Sequence, residues 1–261
     1  MGNLTEKKET IRKVSIVVPA YNEETSLKVL LDELSYFLKN FSYNYEVVFV
    51  DDGSKDGTPE IAQRLNIYVV VHTQNLGYGA NQKTCYKEAL KTKATIVVMV
   101  HPDYQYDPTL LPQIIEPIKD GTAHVVFGSR MLGVSAYKQG MPWWKYVGNK
   151  FLTKLENTIF SLNLSEYHTG YRAYSREVLE SIDFAGNSDG FIFDQEIVAQ
   201  IVDCNFKIAE VSVPVRYFPE ASSVGIAPSI SYGLNILWLL CKFIMPGYGS
   251  KRQAQQLQDI S

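Results

Sequence analysis

Cysteine is scarce: Cys85, Cys204 and Cys241 are the only three in 261 residues, and they stand far apart. They make neither a CxxC pair nor a disulfide framework, which fits a reducing compartment. Charge of one sign is also lacking. A formal net charge of -3 supplies no basic field, so no nucleic-acid partner is expected. The opening stretch MGNLTEKKETIRK has no apolar core segment and so is not read as a secretory signal. It also misses the myristoylation pattern, because Glu6 stands where Ser or Thr is required. No apolar run reaches the roughly 20 residues a membrane span needs. Residues 229–246, SISYGLNILWLLCKFIMP, come nearest, but they are shorter and carry Asn235 and Lys242. A helix is expected there, lying on a membrane surface or buried in a core or oligomer contact. Phosphate-loop signatures are missing as well. DDGSKDGT is followed by no GK[ST], and LGYGAN is not a full GxGxxG. There is no internal repeat, low-complexity tract or linker.

What is present is a regular alternation. The runs at 14–20, 46–52, 67–72, 95–100 and 123–129 are short, β-branched and continuously apolar. Such runs read as strands buried on both faces of a parallel sheet. Between them, Leu27, Leu30, Leu31, Leu34 and Phe37 recur at helical spacing, as do Leu110, Leu111, Ile114, Ile115 and Ile118. The expected fold is α/β: a Rossmann-like, doubly wound, mostly parallel sheet with helices on both faces. Ligands in such sheets bind beyond the carboxyl ends of the strands. The polar motifs sit there: PAYNEE after the first strand, DDGSKDGT after the second, TQNLGYGAN after the third and HPDYQYDP after the fourth. Their concurrence predicts one composite site.

In HPDYQYDP the oxygen-bearing side chains Asp103, Gln105 and Asp107 are spaced two apart. In an extended chain they would share a face. Oxygen donors in a cluster suit a hard divalent cation such as Mg2+ or Mn2+. A polar loop capping the helix after Pro108 is the alternative. Asp51 and Asp52 can accept hydrogen bonds from a base or ribose, or can simply make a turn with Gly53 and Ser54.

VSIVVPAYNEE, VVFVDDGSKDGT, DYQYD, GSR (128–130), TGYRAYSREVL and VPVRYFPE follow one another in an order that resembles the family-two glycosyltransferases of the GT-A fold, across about residues 13–222. The nearest likeness is to the dolichol- and polyprenyl-phosphate mannose or glucose synthases. That resemblance implies a nucleotide-diphospho-sugar donor, a GDP- or UDP-hexose. Pro19, Tyr21, Glu23, Asp51 and Asp52 would lie near its base and ribose. It also implies a cation, Mg2+ or Mn2+, held with the pyrophosphate by Asp103 and Gln105. Those enzymes typically read DADLQHDP. Here His101 replaces the first Asp, so the donor contact made by that carboxylate is not carried over. Arg130 would neutralise the donor phosphates, and Arg172 and Arg216 would meet an acceptor phosphate.

The implied reaction is an inverting transfer of a hexose to a polyprenyl or dolichyl phosphate. A lipid phosphate is already an anion and needs no base. A hydroxyl acceptor on a glycan would need one, with Asp194 the leading candidate and Glu196 behind it; N-terminal helix charge is the plainer reading of both. A non-catalytic nucleotide-sugar-binding protein is the third reading, prompted by His101. The expected organisation is a tail (1–12), a GT-A domain (13–228) and a C-terminal helix with a polar tail (229–261). The expected location is cytoplasmic, peripheral at the cytoplasmic membrane face, with homo-oligomerisation through the last helix as the competing use of that segment.

Overall fold

A computed structural model describes residues 13–64, 67–103, 107–133, 136–137, 140–214, 225–246 and 248. Seven strands form one sheet: β1 (Val14–Ala20), β2 (Tyr45–Asp51), β3 (Tyr68–Val71), β4 (Ile96–Met99), β5 (Val125–Ser129), β6 (Arg172–Ser175) and β7 (Ile208–Ser212). Their order is β3-β2-β1-β4-β6-β5-β7. Every pairing is parallel except those of β6, which runs antiparallel to β4 and β5. The chain winds outward from β1 to β3 and returns to β4 beside β1. That reversal opens a crevice at the carboxyl ends of β1 and β4, where doubly wound sheets bind ligands.

Strand alternation divides the core. Val14, Ile16 and Val18 of β1 join Leu27, Leu30 and Leu34 of α1 (Glu24–Leu38) and Ile114, Ile115 and Ile118 of α4 (Leu111–Lys119) on one face. The short α2 (Thr58–Gln63) adds Ala62. On the other face Val17, Val48 and Val97 meet Cys85, Tyr86 and Ala89 of α3 (Tyr78–Leu90), with Val178 of α6 (Arg176–Ser181) and Ile197, Val198 and Ile201 of α7 (Phe193–Asp203). The edge strands β3 and β7 are only half-buried, as their outer positions require.

The segment expected at 229–246 forms α8 (Ile226–Ile244). It packs on α5 (Trp143–Phe160) and α7. Ile236, Leu239 and Leu240 lie in the same core cluster as α7, each worth about 1.5–3 kcal/mol by apolar burial. The helix is thus continuous with the core along one side. Its other side is exposed. Among the described residues no helix is long and apolar enough to cross a membrane.

The antiparallel course of β6 matters for the site. It sets Arg172, the first residue of the strand, opposite Met99 of β4 and Phe127 of β5. The loop that precedes Arg172 is thereby delivered to the carboxyl ends of its neighbours.

Candidate active site

The ends of β1 and β2 are laced together. Asn22, at a left-handed φ of 54° that Asn tolerates, donates its N–H to Ser54 Oγ over 2.8 Å and accepts from Lys55 N–H at Oδ1 over 2.9 Å. Glu23 N–H donates to Thr58 Oγ1, and Asp56 accepts from Glu24 N–H and Thr58 N–H. Burial works against the Asp56 charge, but the hydrogen bonds from Thr58 and Glu24 hold its carboxyl below the usual range. Gly53 is required here. Its φ is +70°, and a Cβ would fall 2.5 Å from the Gln74 carbonyl carbon.

Asp51 and Asp52 take different parts. Asp51 is fully buried. Its Oδ2 accepts from Ser54 N–H over 3.0 Å, while its buried Oδ1 has no hydrogen-bond partner. An orphaned acceptor at a strand end is the kind of group a ligand's N–H or O–H satisfies. Asp52 turns to the protein instead. Its Oδ1 meets His72 Nδ1 at 2.7 Å and accepts from Leu76 N–H at 3.0 Å, and its Oδ2 accepts from Gly77 N–H at 2.9 Å. Asp52, expected near base and ribose, thereby holds the 72–77 loop that leads into α3. Pro19 is buried beside Val50, and Tyr21 stands exposed on the lip of the crevice.

Beyond β4, Asp103 lies near Glu23. Burial pushes the Glu23 carboxyl up, the Ser26 hydroxyl partly offsets it, and the charge of nearby Asp103 pushes it up further. The two side chains thus share one negative corner. The His101 ring stacks on Tyr78 with centroids 5.8 Å apart. Burial lowers its pKa, against the charges of Asp103 and Asp194. Gly170 admits that ring: a Cβ at 170 would sit 2.5 Å from His101 Cδ2.

Two buried or half-buried arginines each form a clamp. Arg172, expected to meet an acceptor phosphate, is buried at 1% exposure. It donates from Nε to Thr169 O, from Nη1 to Asp194 O and from Nη2 to Tyr167 O, and it lies over the Phe127 ring. Because β6 starts inside the core, the guanidinium serves these backbone carbonyls. Asp194 accepts from the Tyr78 hydroxyl at Oδ2 over 2.8 Å, and its Oδ1 lies 3.8 Å from Arg172 Nη1. Glu196 caps the preceding turn through the N–H and hydroxyl of Ser188.

In the second clamp Arg130, at the end of β5, donates from Nε and Nη2 to Glu166 and from Nη2 to His168 O, while its backbone N–H donates to Glu166 Oε2. Asn149 of α5 donates to the same carboxylate. Burial alone would raise the Glu166 pKa, but the Arg130 charge and these hydrogen bonds hold it below the usual range. Gln105 and Arg216 lie outside the described residues. Among the described residues no group of three His, Cys, Asp or Glu side chains is set to hold a metal ion. Asp103 beside Glu23 still suits a cation that takes one or two carboxylates and completes its shell with phosphate and water.

Tyr78, His72 and Glu166 carry much of this architecture. Pattern reading did not assign them. The available signal was an aromatic residue directly after Gly77, in the LGYGAN stretch at the third strand end.

The sequence profile described as glycosyl transferase family 2 matches residues 15–183. The low-salt glycan biosynthesis hexosyltransferase Agl6 of Haloferax volcanii is 27% identical over 241 residues, which cover 90% of this chain and 56% of that protein. The chain therefore spans little more than half of that relative's length. The polyprenol monophosphomannose synthase of Mycolicibacterium smegmatis is 25% identical over 209 residues, 77% of each chain. Among solved structures, glucosyl-3-phosphoglycerate synthase from Mycobacterium tuberculosis, in complex with Mn2+, uridine diphosphate and phosphoglyceric acid, gives a TM-score of 0.69 at 20% identity, over 90% of this chain and 80% of that one. The same enzyme with Mg2+ and uridine diphosphate gives 0.67 at 21%, over 90% and 82%. At such identity these two likenesses speak to the fold. With the profile covering well over half of the chain, and with this sheet order, the chain belongs to glycosyl transferase family 2 and is a glycosyltransferase of the GT-A fold.

Proposed function

We propose that this transferase moves a hexose from a nucleotide-diphospho-sugar to a polyprenyl phosphate. The observation that carries the acceptor reading is the engagement of Asp194. A hydroxyl acceptor needs a carboxylate poised to take its proton. Asp194 instead accepts from Tyr78 and pairs with buried Arg172, and Glu196 is tied to Ser188. A phosphate monoester is already an anion and requires neither. The relative named polyprenol monophosphomannose synthase, matched over 77% of both chains, supports the same reading.

The donor base or ribose meets Asp51, whose orphaned Oδ1 accepts its hydrogen bond, with Tyr21 and Glu23 at the lip. Asp103, with Gln105, would hold Mg2+ or Mn2+; such a cation neutralises charge on a diphosphate. Arg130, held by Glu166, faces the leaving diphosphate and stabilises it electrostatically. One acceptor phosphate oxygen forms a bond to the anomeric carbon on the face opposite the leaving diphosphate. The bond from that carbon to the diphosphate oxygen breaks, and the nucleoside diphosphate departs with the electron pair. Configuration inverts and no proton changes hands. Arg216 would meet the acceptor phosphate, while Arg172 positions Asp194 and the 167–169 loop.

The test is a panel of labelled GDP- and UDP-hexoses with undecaprenyl or dolichyl phosphate and a divalent metal. Label entering an organic-extractable lipid supports the proposal. Label entering only water-soluble glycans overturns it in favour of a hydroxyl acceptor.

A further inference from the structure

We propose that α5 and α8 together form a face that docks flat on an anionic phospholipid surface. The inference deepens the lipid-phosphate reading and rests on it for its purpose, while its evidence is separate. On α5, Trp143, Val147 and Phe151 are spaced four apart and are 68%, 57% and 63% exposed. On α8, Ile230, Leu234 and Trp238 repeat that spacing at 60%, 61% and 61%. Residues four apart on a helix share one side, so each helix carries an apolar stripe.

The two helices run parallel and in contact. Leu152 Cδ1 lies 3.9 Å from the Cβ position of Gly233, and the Phe160 and Phe243 rings are 4.9 Å apart. The stripes therefore belong to adjacent, co-directional helices. Exposed apolar side chains gathered in this way mark an interaction surface.

Charge selects the occupant. The charged residues of the two helices are Lys145, Lys150, Lys154, Lys242 and one acid, Glu156. Glu156 is buried at 1% exposure beside His168. Lys145 is half-buried near Arg130, so the outward charge of the pair is that of Lys150, Lys154 and Lys242, all positive, in a chain of net charge -3. Lys145, Lys150 and Lys242 each lie over an aromatic ring of their own helix: Trp144, Tyr146 and Trp238. Apolar stripes bordered by lysine and aromatic side chains suit the headgroup boundary of a bilayer. A second copy of this chain suits them poorly, because a twofold contact would set lysines against lysines.

The inner side of α8 reaches the site. The Tyr232 hydroxyl accepts from Gln195 Nε2 over 3.0 Å and lies 3.4 Å from His168 Nδ1, and the His168 carbonyl accepts from Arg130. A surface docked on α8 therefore lies directly behind the loop that clamps Arg130.

The experiment is co-sedimentation of the full chain with phosphatidylcholine vesicles, with and without phosphatidylglycerol. Three proteins are compared: wild type, Phe151→Glu/Trp238→Glu, and Lys150→Gln/Lys154→Gln/Lys242→Gln. Wild type should pellet with the anionic vesicles, less so at high salt. Both variants should lose on the order of tenfold in partitioning. Their melting temperatures and donor affinity should stay at wild-type values, since the altered side chains are outward and apart from Asp51, Asp103 and Arg130. Wild type that ignores anionic vesicles, or variants that pellet as well as wild type, overturns the docking face. So does light scattering in which wild type is a dimer and the glutamate variant a monomer. Vesicle binding by a protein that labels no lipid phosphate supports the docking face and removes the acceptor reading instead.

Discussion

The Tyr78 hydroxyl, on the first residue of α3, donates to Asp194 Oδ2 at the start of α7 across 2.8 Å. Two helix starts that flank the crevice are joined by this one bond. Burial first, then the Asp194 charge, push the Tyr78 pKa far up, so the phenol stays a donor at any working pH.

Tyr78→Phe should therefore cost about 1–3 kcal/mol, the usual consequence of leaving a buried acceptor short of a partner. Urea denaturation measures it. Asp194→Asn separates position from base chemistry. With a phosphate acceptor it should lose stability yet keep kcat within about tenfold, because general-base catalysis typically contributes 10²–10⁴-fold where it operates. A loss at the upper end of that range, with folding intact, would make Asp194 a base and the acceptor a hydroxyl.

Asp103→Asn should abolish metal-dependent donor binding and nearly all turnover. Calorimetry with Mn2+ and the donor measures it; unchanged affinity would remove Asp103 from the metal site. His101→Asp, which restores the acid common in related enzymes, should fold and change activity less. Gly170→Ala tests the fit of the imidazole, since its Cβ would press on the His101 ring. Pairing it with His101→Ala should recover part of the loss; strict additivity of the two effects would show that the contact carries no coupling.

Glu166 sets an acid limit on stability. Its folded pKa lies below the unfolded value, so the unfolded chain takes up the proton more readily. Its contribution is therefore full above the ordinary glutamate value of about 4.3 and is lost as pH falls through the lower folded value. Glu23, pushed up by burial, works in the opposite direction on acidification. Glu166→Gln should lower stability by about 3–5 kcal/mol at neutral pH, as expected for breaking a buried pair. The gap to wild type should narrow in acid. A gap that stays constant from neutral pH into acid would contradict the assignment.

Arg130 and Arg216 should divide their labour. Arg130→Ala should weaken donor binding, and Arg216→Ala should mainly raise the acceptor concentration required. Equal losses of donor affinity, measured by calorimetry, would contradict the division.

The parallel core was legible because β1, β4 and most of β2 are buried on both faces and so are largely apolar. The antiparallel β6 was not, since RAYS is short and its direction depends on where α5 ends. The α3 helix hid for a different reason. Its buried face includes Asn81 and Gln82, with Asn81 donating to Ala20 O, so no apolar period emerges. The order of motifs marked the crevice, but the roles within it depend on partners distant in sequence. Asp51 and Asp52 are neighbours of one type, yet one has an oxygen to spare and the other holds a loop. Arg172 looked like an anion contact because it lies in a motif, and only the start of β6 inside the core sends it to carbonyls. The 229–246 segment left its outer partner open because amphipathicity alone does not say what covers the second face.

The acceptor's phosphate is the centre of the account, and one competition measures it. The enzyme is given labelled donor, divalent metal, and equal amounts of a polyprenyl phosphate and the same polyprenol without phosphate. The account predicts that label enters only the phosphorylated lipid and that Asp194→Asn preserves this product. Label in the free alcohol, lost on Asp194→Asn, would contradict it.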